Sequence, residues 1–148
     1  MREIRDEIEI DGPPERVWSV LMDFDAYPEW NPFVKRISGR AEKGAKLDVR
    51  IVPPGKKGMR FKPTVIAAEP RREFAWLGKV LVPGLFDGEH HFELEDLGGG
   101  RTRFVQREVF KGLLTPMLGG MLDNTHEGFR ELNQALKRRV ESSQTPAT

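Results

Sequence analysis

Charged residues and isoleucines alternate at the start of the chain. Ile4, Ile8 and Ile10 share one face, so residues 3–10 read as a half-buried strand. Gly12-Pro13-Pro14 breaks it, and proline at a first helical position starts a short helix over residues 15–22, with Val17, Val20 and Leu21 inward. Residues 23–32 hold too much proline for a regular helix and too many aromatics for a free loop. They predict one helical turn, with Tyr27 and Trp30 plugging an end of the core.

Strand patterns then follow over residues 34–38, 46–52, 59–68, 72–80, 88–95 and 101–110. The connections are short, among them Pro53-Pro-Gly-Lys-Lys-Gly58 and Gly98-Gly99-Gly100, and this spacing predicts an antiparallel meander. Pro63 marks its strand as irregular or unpaired on one side. The period then changes. Leu114, Leu118, Met121, Thr125, Phe129, Leu132, Leu136 and Val140 recur at threes and fours as one apolar stripe, with Thr115 as N-cap and Pro116 at the first helical position. The helix runs about 25 residues.

The expected fold is α+β: a curved antiparallel sheet of about seven strands wrapped around a long C-terminal helix, with two short helices between strands 1 and 2. Residues 1–141 form one domain and 142–148 a polar tail.

The last two strands suggest a register. If residues whose numbers sum to 196 lie opposite, Glu95 faces Arg101, Glu93 faces Arg103 and Glu89 faces Arg107, three opposite-charge pairs on one face. The other face then carries Leu94 opposite Thr102, Phe92 opposite Phe104, His90 opposite Gln106, and Gly88 opposite Glu108. Its apolar pairs make it the inner face, so His90, Gln106 and Glu108 point inward, with Glu108 one diagonal step from His90 and Gly88 leaving it room. Three inward polar groups admit three readings: a His90–Glu108 pair that holds the sheet in shape, a set that orients a ligand, or a proton-transfer site.

Gly119-Gly120 near the start of the helical stripe fits either close packing on the sheet or a site needing volume at a pocket mouth. The apolar loop Leu81-Val-Pro-Gly-Leu-Phe86, with Gly112-Leu-Leu-Thr-Pro-Met117, forms either a greasy entrance or a tucked-in connection.

Composition removes several function classes. The 148 residues include no cysteine, so disulfides, thiol nucleophiles and zinc–thiolate sites are excluded; a reducing cytoplasm fits. The net charge is +1 from scattered, nearly balanced charges. The clusters Lys56-Lys57, Arg71-Arg72 and Lys137-Arg138-Arg139 read as solvated surface, and no nucleic-acid partner is expected. No apolar run approaches the length of a membrane span. Of three histidines, His90 and His91 point to opposite faces. A site of His90, Glu108 and His126 is conceivable, but no metal or cofactor is expected.

The ordered set of Pro14-Glu-Arg-Val-Trp-Ser-Val-Leu, Asp25-Ala-Tyr-Pro-Glu-Trp-Asn-Pro32, Glu69-Pro70 ahead of the strand with Trp76, Gly84-Leu-Phe-Asp-Gly-Glu-His-His-Phe, and Thr102-Arg-Phe-Val-Gln-Arg-Glu-Val-Phe-Lys-Gly-Leu-Leu with the long helix resembles the START-like, helix-grip (SRPBCC) superfamily. That superfamily includes polyketide cyclase/dehydrase and lipid-transport families, and the resemblance covers about residues 3–141. It implies a cavity between sheet and helix that receives lipids, quinones, polyketides or other apolar molecules; it supplies no mechanism.

The expected function is therefore cytoplasmic binding of a small apolar molecule by a monomer or homodimer. Phe74, Trp76, Phe92, Phe104, Met117, Met121 and Thr125 would line the site, and His90, Gln106 and Glu108 would orient the ligand. One alternative is a cyclase/dehydratase-type enzyme in which Glu108 or His90 moves a proton; another is a protein-interaction module docking through an apolar entrance.

Overall fold

The computed structural model describes residues 1–80, 86–113, 115–117 and 119–142. Among them, β1 (Arg2–Ile10) leads to α1 (Pro14–Met22), a 3-10 turn (Phe24–Ala26) and α2 (Tyr27–Trp30). Then come β2 (Val34–Ser38), β3 (Asp48–Ile51), β4 (Met59–Phe61), β5 (Thr64–Glu69), β6 (Glu73–Val80), β7 (Phe86–Gly98) and β8 (Arg101–Lys111). A 3-10 turn (Thr115–Met117) precedes α3 (Gly119–Ser142).

The expected α+β architecture is present, with eight described strands in two antiparallel sheets, a long C-terminal helix and the short helices between β1 and β2. One sheet has the order β1-β8-β7-β6-β5, the other β2-β3-β4. The expected strand over residues 59–68 is cut at Lys62-Pro63 into β4 and β5, because proline brings no N–H to a ladder. At that break the segment just ahead of β3 meets the start of β5, through the bridge Lys46 to Thr64 and the backbone hydrogen bonds Leu47 N–H to Pro63 O at 2.9 Å and Val65 N–H to Ala45 O at 2.8 Å.

The hairpin β7–β8 closes on Gly99-Gly100, with φ of +65° and +78°. A two-residue loop with both φ values positive matches the right-handed twist of its strands. That turn, with an irregularity between Asp96 and Gly98, sets the register at a residue sum of 198, not the 196 inferred from charge. The charges accommodate it. Arg103 pairs with Glu95, directly opposite, at 3.1 Å in place of the expected Glu93; Arg107 reaches Glu93 diagonally at 3.1 Å, and Arg101 turns to Glu9 of β1 at 2.6 Å. A shift of two keeps every side chain on its face, so His90, Gln106 and Glu108 do point inward. Their partners change: His90 lies opposite Glu108, Phe92 opposite Gln106, and Gly88 opposite Phe110.

The body of α3 packs mainly on β1 and against α1. Its buried face is Leu122, Phe129, Leu132, Asn133, Leu136 and Val140, and Met121 is 49% exposed. Gly128 brings the helix close to Phe33, since a Cβ there would stand 2.5 Å from the ring. Thr115 does not cap the helix. A 3-10 turn intervenes, and its buried hydroxyl finds no hydrogen-bond partner among the described residues.

At the other end of the core, Tyr27 is buried and donates to the Leu21 carbonyl at 2.6 Å. Burial first, and Asp23 second, push its phenol far above the ordinary range. The Asn31 side-chain oxygen accepts from the backbone N–H groups of Phe33 and Val34, which fixes the entry into β2.

Candidate functional site

The inner face of the five-stranded sheet carries two aligned features, an aromatic core and a polar row. Phe74, Trp76, Phe92 and Phe104 are all buried, and Phe74 and Phe92 stack with centroids 6.0 Å apart. Burial of four large rings anchors the sheet on the helix.

Among them runs a chain of hydrogen bonds whose donor order can be assigned. The backbone carbonyl of Phe129 can only accept, so the Gln106 group facing it at 3.4 Å is the NH2. The same NH2 donates to Asn133 Oδ1 at 2.9 Å, and the Asn133 amide nitrogen donates to Asp6 Oδ2 at 2.9 Å. Gln106 Oε1 therefore faces His90 Nε2 at 2.8 Å, and His90 must donate from Nε2. In the neutral ring Nδ1 is then the bare acceptor, and it points at Glu108 Oε1, 3.6 Å away.

Glu108 lies where this row meets a cavity of about 460 Å³. The five-stranded sheet contributes Gly78, Gly88, Glu108 and Phe110, and the small sheet supplies Ile51, Met59 and Phe61. Pro53, Lys56 and Lys57 come from the loop ahead of β4; Gly120, Met121, Asn124 and Thr125 come from the first turns of α3. The cavity thus sits at the N-terminal end of the helix, while the body of the helix is packed solid against the large sheet.

Gly78 and Gly88 are paired directly across β6 and β7. A Cβ on Gly78 would stand 3.2 Å from the Phe61 ring, and one on Gly88 would stand 2.6 Å from Glu108 Oε2. The two missing side chains make the recess in which Phe61 and the Glu108 carboxylate lie.

Of the residues expected to meet a ligand, Glu108, Met121 and Thr125 border this cavity. His90 and Gln106 stand behind Glu108 in the polar row. Phe74, Trp76, Phe92 and Phe104 belong to the packed core; Phe61 lies against Trp76 with centroids 6.3 Å apart and borders the cavity instead. The side chain of Met117, residues 81–85, and Leu114 and Leu118 lie outside the described residues. At Gly120 a Cβ would meet nothing within 4 Å among the described residues, so this glycine is not packed against the described part of the sheet.

Two members of the polar row were absent from the sequence reading, and both left a trace in it. Asp6 interrupts the inward series Ile4, Ile8, Ile10, and Asn133 interrupts the helical stripe one turn after Phe129. Lys56 and Lys57 were read as solvated surface, because a Pro/Gly-rich turn carries no periodicity that would place its side chains.

The opposite face of the sheet holds Glu73, His91 and Glu93, whose ligand atoms lie within 4.8 Å of one another. They are the only such group among the described residues. Each is already engaged: His91 Nδ1 lies 2.7 Å from Glu73, and Arg107 pairs with Glu93 at 3.1 Å. His90, Glu108 and His126 do not converge, since His126 turns toward Asp6 at 3.9 Å. No helix among the described residues is long and apolar enough to cross a membrane.

A family described as polyketide cyclase / dehydrase and lipid transport matches residues 1–141. No curated protein matches the chain. Among solved structures, a START superfamily protein from Mycobacterium smegmatis superposes with a TM-score of 0.74 at 21% identity, covering 96% of this chain and 99% of that one. The Zhui aromatase/cyclase from a Streptomyces species gives 0.75 at 17% identity, covering 95% and 93%. The di-domain ARO/CYC BexL gives 0.76 at 16% identity, covering 99% of this chain and 48% of that one. At these identities the structures share the fold.

Proposed function

The chain belongs to the polyketide cyclase / dehydrase and lipid transport family, and from that premise we propose that it binds a small, largely apolar molecule in the cavity at the head of α3. The observation that carries this reading is the position of Glu108, whose carboxyl group stands in a recess whose walls include Ile51, Met59, Phe61 and Phe110. A volume of about 460 Å³ lies within the range of small-molecule sites, roughly 300–1,000 Å³. Apolar walls supply affinity, and one acceptor at the inner end orients a hydroxyl or amine of the ligand.

The test is titration with the neutral fluorophore phenylnaphthylamine. Gly120→Phe adds a ring at a position that borders the cavity and where a Cβ would meet no described atom within 4 Å, so it fills the cavity. Saturable binding in the wild type and its loss in Gly120→Phe are expected. A wild-type protein that shows no saturable binding, and carries no small molecule in native mass spectrometry after purification, would count against the reading.

The pairing of Glu108 with the bare nitrogen of His90 supports a second reading, an enzyme of cyclase/dehydratase type. A proton taken from a substrate by the Glu108 carboxylate can be held between Glu108 Oε1 and His90 Nδ1, while His90 stays anchored through Nε2. In that case Glu108→Gln loses turnover and keeps binding; a binding module changes affinity only modestly.

A further inference from the structure

We infer that the occupant is an anionic amphiphile, its charged end held at the cavity mouth by Lys56 and Lys57 and its apolar body directed toward Glu108. The inference rests on the cavity-binding reading above and names the class of ligand.

Lys56 and Lys57 are adjacent, exposed, and both border the cavity. Neither forms an ion pair among the described residues. Unpaired lysines occur elsewhere on the surface, but these two stand side by side at the rim of the cavity. In a chain with 24 basic and 23 acidic residues, two neighbouring unpaired cations at the rim of an apolar recess mark a place where an anion is wanted.

The rest of the rim agrees. Met59 is 42% exposed and Met121 49% exposed, and the first turn of α3 contains no acidic residue. Glu108 is the sole carboxylate among the described lining residues. It repels an anion from the inner end and leaves the lysines as the place for one. Lysine stems can also lie along the ligand's apolar body while their ammonium groups stay in water. A carboxylate, sulfonate or phosphate on a ring system or chain fits this order of surfaces; a neutral hydrocarbon leaves the lysines idle.

The experiment compares anilinonaphthalene sulfonate with phenylnaphthylamine, which share an aryl-amine skeleton and differ in the anionic group. They are titrated into wild type, Lys56→Gln/Lys57→Gln and Gly120→Phe. The double lysine variant should weaken the sulfonate about four- to twenty-five-fold, two exposed ion pairs each contributing a factor of about two to five. It should weaken phenylnaphthylamine clearly less than the sulfonate, and salt should shrink the difference between the two probes. Gly120→Phe should abolish both.

If phenylnaphthylamine binds and the sulfonate does not, or if the lysine variant affects both alike or neither, the charged-end assignment is wrong while cavity binding stands. Sulfonate binding that survives Gly120→Phe lies outside the cavity and also overturns the assignment. If neither probe binds the wild type, the cavity-binding reading itself fails, and this inference with it.

Discussion

A Cβ at position 88 would stand 2.6 Å from Oε2 of Glu108, so the absent side chain of Gly88 is what gives that carboxylate its place. The two residues are diagonal neighbours on β7 and β8, since Gly88 lies opposite Phe110 and His90 opposite Glu108. In Gly88→Ala the flexible end of Glu108 moves and the backbone stays. Stability in urea should change by less than about 1 kcal/mol, because alanine also restricts the unfolded chain. The displaced carboxyl enters the cavity, and phenylnaphthylamine should bind about three- to tenfold more weakly, the cost of setting a polar group against an apolar ligand. Combining Gly88→Ala with Glu108→Ala should restore binding, a non-additivity that the paired titrations measure directly.

The polar row makes a separate prediction about His90. In the wild type, nitrogen chemical shifts should show the neutral ring protonated at Nε2. Gln106→Leu leaves His90 Nε2 and Asn133 Oδ1 without their partner inside the core. Unfolding in urea should register a loss of about 2–3 kcal/mol, and the single tautomer should give way to a mixture. A Gln106→Leu protein as stable as wild type, with the tautomer unchanged, would show that the row does not set the ring's orientation.

Two glycines of one helix should respond with opposite sign. A Cβ at Gly128 would press on the Phe33 ring from 2.5 Å, and one at Gly120 would touch nothing within 4 Å among the described residues. Gly120→Ala should raise the melting temperature, by up to about 1 kcal/mol of helix propensity. Gly128→Ala receives the same propensity gain but must displace a buried ring, and should come out about 1–2 kcal/mol less stable than wild type. Thermal unfolding of the pair, side by side, provides its own control.

The C-terminal end of α3 is tied to the turn after β1. Glu141 accepts from Lys137 Nζ at 2.6 Å and from the Asp11 backbone N–H at 2.9 Å. The lysine first, and the Asp11 amide second, hold its carboxyl below the ordinary value of 4.5. A folded value below the unfolded one means that the stabilisation is complete above the ordinary value and is lost as pH falls through the lowered one. Wild type should therefore exceed Glu141→Gln near neutral pH, by no more than about 1 kcal/mol for so accessible a group. The two melting temperatures should converge toward about pH 3.

Much of the fold was legible because period carries it. The inward isoleucines of β1, the stripe of α3 and the alternation on β7 and β8 each identified a face, and faces survive a register error of two. The register itself was misread from charge. Arg103 and Arg107 can reach acidic partners in either alignment, whereas a two-glycine turn permits one. The site was legible only in part for the same reason. Glu108 and His90 stand out as polar residues on an apolar face, but the cavity beside them is assembled from Lys56, Lys57, Met59 and Phe61. Those residues belong to a short strand and a turn with too few residues to show any period. The aromatic residues of the core were equally conspicuous, yet hydrophobic mass reports burial, not contact with a ligand.

The break at Lys62-Pro63 also bears on how a ligand comes and goes. It leaves β4, three residues long and at the edge of the small sheet, as one wall of the cavity, while the backbone links near the break run from residues 44–47 to residues 63–65. Short edge strands open at a fraction of the free energy of global unfolding. On the proposed reading, a ligand in the cavity would exchange through local excursions of β4 and its preceding loop, and amide hydrogens at Met59–Phe61 should exchange with solvent well before those of β7 and β8. Residence time and thermal stability become separately adjustable in this protein, the first through the small sheet and the second through the large one.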